Sequence, residues 1–159
     1  MPFTPYHFGP GILAEAITPK RFSLTAYVAS QVVIDCETLY HLVRHTKPDH
    51  RFFHTFVGAS LVGVATAVGL AIVVPWVKRW PRWLEGDLTW NKLWVGGWVG
   101  GIFHAILDSM YHWDAMPFWP WSTANPLLSP HHVAPEICVL TGVLGLALGG
   151  FRLARARRA

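Results

Sequence analysis

The sequence predicts an all-α integral membrane protein: a bundle of four spanning helices with a short re-entrant segment at its N-terminus. Three observations carry this. The chain of 159 residues is 52% hydrophobic and only 14% charged, against about 25% charged in a soluble domain. Four of its stretches are long enough to cross about 30 Å of hydrocarbon at about 1.5 Å per residue. The connections between them gather the tryptophans, prolines and basic residues. The length allows one domain, residues 1–159, and no separate soluble module.

The N-terminus opens with Pro2, Pro5, Gly9, Pro10 and Gly11. It has no basic region followed by an apolar run, so no cleavable signal peptide is expected. Residues 11–18 read as a short helix, stopped by Pro19 and the pair Lys20 and Arg21. That helix is too short to span. Folded back on the next segment it is re-entrant, which is tolerated only where protein covers it or it lines a cavity. His7 then lies about as far before the turn as Asp35 lies after it, and the two share a depth.

The expected spans are residues 22–45, 53–76, 93–113 and 133–153. The second has no charge between Val57 and Pro75, and the fourth has only Glu136 near its start. Both are rich in Gly and Ala, which lets helices approach closely in lipid. In the connection 77–92, Trp80, Trp83 and Trp90 stand among Lys78, Arg79, Arg82 and Lys92. Aromatics beside cations read as an interfacial anchor. The connection 114–132, with Pro117, Phe118, Trp119, Pro120 and Trp121, is a stiff aromatic loop expected at the opposite interface.

With four spans the connections alternate between two sides. Ten of the thirteen Lys and Arg residues fall on one side, and Arg44, Lys47 and Arg51 fall on the other. The positive-inside rule makes the ten cytoplasmic, with the C-terminus among them. This distribution, in short clusters between apolar stretches, is not a nucleic-acid footprint; membrane lipids account for the net charge of +4. Cys36 and Cys138 both lie inside apolar segments and read as small hydrophobes, not as a disulfide.

Against this apolar background the acids and histidines stand out. One Asp at the centre of a spanning helix costs roughly 2.5–3.5 kcal/mol on insertion scales, so several of them need a partner, and a bound cation is the simplest. Asp35 lies in the outer half of the first span. His50 and His54 lie at the outer end of the second, and share a helix face if the helix reaches back to them. His104, Asp108 and His112 form an i, i+4, i+8 ladder on the third. Four segments thus bring nitrogen and oxygen ligands to one level. Such ligands suit zinc, manganese or iron, and their number exceeds what one tetrahedral ion takes, so two or more divalent ions with a bridging carboxylate are expected. Asp35 and Glu37 are about 200° apart on a straight helix, so one of them points elsewhere or the helix breaks. Other polar residues have plainer readings: His41 and His45 at headgroup depth, His131 and His132 on a loop, Glu136 at a helix start.

The segments PFTPYHFGPG, VIDCE, HRFFHT, HAILDSMYH and PFWPW, in this order, resemble the small bacterial inner-membrane proteins described as membrane-bound metal-dependent hydrolases. The resemblance runs from His7 to about Pro126. It implies metal ligation by His7, Asp35, Glu37, His50, His54, His104 and Asp108; His112 fits a narrower pattern within the family. Phe53 stands where the family commonly has Thr. The family is distantly similar to zinc-dependent phospholipases C and single-strand nucleases. The resulting expectation is hydrolysis of an ester, a phosphoester of a lipid or headgroup, with Asp35 or Glu37 taking a proton from water and Arg51 holding phosphate. The rival is a non-catalytic accessory subunit of a larger membrane complex, its polar cluster structural with or without metal. An ion pathway is disfavoured, because the inner half of the bundle carries few polar groups.

Overall fold

The structure is a computed structural model describing residues 4–77, 81, 86–131 and 133–158. Among these residues it is all-helical, with five α-helices: α1 (Phe8–Ile17), α2 (Leu24–Val43), α3 (Phe56–Val73), α4 (Trp90–Tyr111) and α5 (Ala134–Ala156). Short 3-10 turns cover Thr4–His7, Phe52–His54 and Val74–Trp76. The residues Lys78, Arg79, Trp80, Arg82, Trp83 and His132 lie outside the described part, and with them most of the expected anchor.

Each helix has a local cause. Pro10 falls in the first turn of α1, where its missing N–H costs nothing. Ser23 caps α2 by accepting the Ala26 N–H. Asp87 reinforces that cap from across the bundle, accepting the N–H groups of Leu24 and Thr25 and the Ser23 hydroxyl. The other end of α2 closes as a Schellman motif: His45 N–H to Leu42 O and Thr46 N–H to His41 O, with His45 in the left-handed region at φ 52°. Thr55 caps α3 through the Gly58 N–H. Pro135 sits in the first turn of α5 beside Glu136.

Helix α4 is the centre, wedged between α2 and α3, while α1 packs along α5. Its glycines make the wedge possible. A Cβ at Gly96 or Gly100 would collide with Ser23 and Ser30 of the α2 side; one at Gly97 or Gly101 would collide with the Gly63 and Ala59 carbonyls of α3. Two faces of one helix are thus stripped of side chains so that both neighbours come close. Gly9 is pressed in the same way against the Cys138 carbonyl of α5. The Tyr27 hydroxyl ties α2 to the His7 carbonyl at 2.9 Å. Both cysteines are free, Cys36 exposed and Cys138 buried.

Among the described residues, two helices are long and apolar enough to cross a membrane: Phe56–Trp76 and Ala134–Ala156. The other two expected spans have comparable length but a lower average apolarity. Helix α2 carries Gln31, Asp35, Glu37 and His41, and α4 carries Asn91, Lys92, His104 and Asp108. Their outward faces are nevertheless apolar: Val32, Leu39 and Val43 on α2, and Trp94, Trp98 and Phe103 on α4, are exposed.

Two helix boundaries differ from expectation. Helix α3 begins at Phe56, so His50 and His54 do not share a helical face; the Thr55 cap stops the helix short of them. Helix α4 ends at Tyr111, and His112 is its extended C-cap (φ −101°, ψ 121°).

Candidate metal centre

Asp108 is the hub. Its carboxylate is buried and faces five imidazoles, each through Nε2. His104 and His54 lie 3.1 and 3.3 Å from Oδ2, and His50 lies 3.8 Å from the same oxygen. His7 and His112 lie 3.3 and 4.0 Å from Oδ1. Asp35 approaches from α2, its Oδ1 3.4 Å from His104 Nε2. Two ligand sets result, Asp35, His54, His104, Asp108 and His50, Asp108, His112, and they share Asp108. His7 stands on the Oδ1 side, edge-on to the His104 ring. In the second set the His50 and His112 rings stack with centroids 3.9 Å apart. The sequence-derived candidates His7, Asp35, His50, His54, His104, Asp108 and His112 therefore meet in one place.

Behind three of the imidazoles stands an acceptor that fixes the tautomer. The Gln31 amide donates to Gly100 O at 2.8 Å, so its oxygen is left to accept; it receives the His104 Nδ1–H at 2.7 Å. His54 Nδ1 donates to Glu37 Oε2 at 3.2 Å. His50 Nδ1 donates to Asp114 Oδ1 at 2.9 Å. In each case Nδ1 holds a proton and Nε2 is turned inward. Histidines that ligate metals are held in this way. The Thr38 hydroxyl adds a contact to His54 Nε2 at 3.2 Å.

His104 tests whether this set fits a cation. Its Nε2 is buried with no hydrogen-bond partner, yet it faces carboxylate oxygens of Asp108 and Asp35 at 3.1 and 3.4 Å. An unprotonated Nε2 would turn its lone pair on two anions; a proton or a metal cation between them removes the conflict. Metal–ligand bonds of about 2.1 Å at tetrahedral angles put neighbouring ligand atoms about 3.4 Å apart. Three pairs of the first set, at 3.1, 3.3 and 3.4 Å, have that spacing. In the second, His50 and His112 stand farther from Asp108, at 3.8 and 4.0 Å, and both sets keep within 4.8 Å throughout.

Glu37 and Arg51 stand elsewhere than the direct roles expected of them. Glu37 lies behind His54, and its Oε2 also accepts the N–H groups of Arg51 and Phe53 at 3.2 and 2.9 Å. It supports the turn that carries the ligands. The Arg51 guanidinium donates to the Pro48 and Lys47 carbonyls, facing away from Asp108. The straight α2 explains the Glu37 result: Asp35 and Glu37 do diverge, one toward His104 and the other toward His54.

Gln31 and Asp114 were not among the sequence candidates. Gln31 had a signal, an amide one turn before Asp35 in an apolar helix. Asp114 had none, because its role depends on how two loops meet: its Oδ2 also accepts the Asp49 N–H at 2.9 Å. Burial opposes ionisation of Asp114, but the His50 bond and charge and the two backbone N–H groups outweigh it and hold the carboxyl below its usual range. Burial likewise lowers His50, and the Asp114 bond with the charges of Asp108 and Asp114 reverses this, so its pKa is raised.

The cluster is not sealed. The side chains of Asp35 and His112 are 23% and 14% exposed, whereas those of His54 and His104 are fully covered. No protein-family model, no curated protein and no solved structure matches this chain.

Proposed function

We propose that the chain is a multi-pass protein of the bacterial inner membrane that hydrolyses a phosphoester of a lipid or headgroup with divalent metal, zinc in the first instance. The observation that carries the metal is the convergence of five imidazole Nε2 atoms on Asp108, three of them with Nδ1 held by a buried or part-buried acceptor. Charge supports two ions. Asp35, Glu37, Asp108 and Asp114 sum to four negative charges when ionised, and two divalent cations balance them.

Four spans with a cytoplasmic C-terminus remain the reading of the fold. Its support is the outward apolar faces of α2 and α4 beside the two clearly apolar helices. Exposed tryptophans add to it: Trp76 and Trp90 at one end, Trp113 and Trp121 at the other. From Trp90 to Tyr111, the length of α4, the rise is about 32 Å at ~1.5 Å per residue, close to the hydrocarbon thickness of about 30 Å. The Asp108 cluster then lies about one turn below the outer aromatic belt, within reach of headgroups.

In this reading the bound metal supplies Lewis acidity and water activation at neutral pH. The protein's own groups divide the rest. Asp108 joins the two ligand sets. Gln31, Glu37 and Asp114 keep each imidazole oriented and basic. Asp35, at the accessible edge, is positioned to accept a proton. A closed, structural cluster is the rival; the exposed edge at Asp35 and His112 favours an open one. Elemental analysis of gently purified protein tests the reading. At least one transition metal per chain is expected; none, with unchanged stability on chelation, would sink it.

A further inference from the structure

We propose a second, separate site: an anionic-phospholipid headgroup pocket between the loops at the outer end of the bundle, seated on Lys47 and Arg51. A cavity of about 370 Å³ opens there, lined chiefly by Lys47, Arg51, Phe52, Met116 and Trp119. Contacts between the two loops hold its walls together. The Phe56 N–H bonds Pro117 O at 2.9 Å, Phe52 meets Trp119 edge-on, and Phe56 meets Phe118. The 50–55 turn contributes to both this cavity and the metal cluster. His50 and His54 point into the bundle, while Arg51 and Phe52 line the cavity.

The occupant follows from chemistry and place. Two carbonyls hold the Arg51 guanidinium through Nε and Nη2, which fixes its plane and leaves the rest of its five donors for a ligand. Lys47 is exposed at the mouth and pairs with Asp49. The rim thus holds two cations against one acid. The wall opposite is aromatic and apolar. An oxyanion at the rim with an apolar body along Trp119 is the shape of a phospholipid, and exposed Trp113, Trp119 and Trp121 put the pocket at headgroup depth. The cations themselves need an explanation. In the four-span reading only three of thirteen Lys and Arg residues are assigned to this end, all within residues 44–51, and two of them line this cavity. The proposal rests on the membrane reading of the bundle and not on the metal.

The test uses delipidated full-length protein and short-chain lipids, with metal content measured on the same samples. Dihexanoyl phosphatidylglycerol is expected to bind about tenfold tighter than the phosphatidylcholine of the same chains. Lys47→Gln should weaken the former about fivefold, the worth of one cation beside an anionic headgroup, and leave the latter unchanged. Trp119→Ala should weaken both lipids and leave inorganic phosphate unaffected. Equal binding of the two lipids, or no effect of Lys47→Gln, overturns the proposal. So does inorganic phosphate binding as tightly as phosphatidylglycerol, which would make the cavity a free-anion site. Metal without Lys47-dependent lipid binding removes this site alone. Lys47-dependent lipid binding without metal removes the metal reading and leaves this site standing.

Discussion

Replacing Gln31 with leucine separates a metal-ligating His104 from one that merely pairs with acids. Gln31 is fully buried and accepts the His104 Nδ1–H at 2.7 Å. Leucine has a similar volume, so the change leaves little cavity. In metal-free protein the variant imidazole can move its proton to Nε2 and donate it to Asp108. Loading forces the proton back to Nδ1, where the leucine offers no acceptor. A buried donor left unpaired costs about 1–3 kcal/mol, and that cost falls only on the loaded state. Loss of the Gln31 bond to Gly100 O weakens both states alike and cancels. The expected result is a 10- to 100-fold loss of metal affinity, about 1.4–2.7 kcal/mol. Back-titration of chelator-stripped protein with zinc against a fluorescent competitor reads it. Gln31→Glu keeps an acceptor and should bind at least as tightly as the wild type. If Gln31→Leu stays within about twofold of wild type on the scale where one such contact is worth tenfold, His104 does not ligate through Nε2 and the tautomer argument fails.

Asp108→Asn keeps the shape of the hub but removes its charge; metal content by plasma mass spectrometry should fall while membrane insertion survives, and normal metal would take Asp108 out of the site. In chelated protein the His50–Asp114 pair gives a pH signature. The lowered Asp114 contributes stability above its unfolded pKa of 3.8, lost as pH falls through the folded value; the raised His50 contributes below 6.5, lost as pH rises through its folded value. Melting scans across pH should show both flanks, and Asp114→Asn should flatten them. Asp87→Ala removes a carboxylate that accepts two N–H groups at the start of α2; denaturant titration should show a loss of about 1–2 kcal/mol, with metal content unchanged. For topology, a cysteine at Ser122 should label from the periplasmic side and one at Thr89 should not; the reverse would turn the bundle over.

What the sequence could show was depth, and depth follows from counting along helices. His7 and Asp35 lie at matched distances from the turn that joins α1 to α2, and both reach the His104–Asp108 ladder. The i, i+4 relation of His104 and Asp108 was readable for the same reason. Direction was harder to see. His50 and His54 would share a face only on a helix reaching back to them, yet the Thr55 cap ends α3 before them; a 3-10 turn delivers His54, and His50 comes from the loop before it. The competition between a cap and one more helical turn amounts to about 1 kcal/mol and is not settled by spacing. Glu37 and Asp114 act through backbone N–H groups of the 49–53 segment, and that relation exists only once the loop has closed. The four glycines of α4 carry no hydropathy signal of their own, because their effect lies in what they allow α2 and α3 to do.

The sharing of Asp108 imposes a hierarchy on occupancy. One ligand set puts three buried groups and the part-exposed Asp35 on three supports, two of them helices; the other adds only His50 and His112, both outside helices. Under the proposed metal reading, an ion in the first set would be held by three covered groups and would exchange slowly, while one in the second could leave with a movement of the outer loops. Since both sets would draw on the same carboxylate, each ion would weaken that carboxylate's hold on the other, and the second place would fill only when metal is abundant.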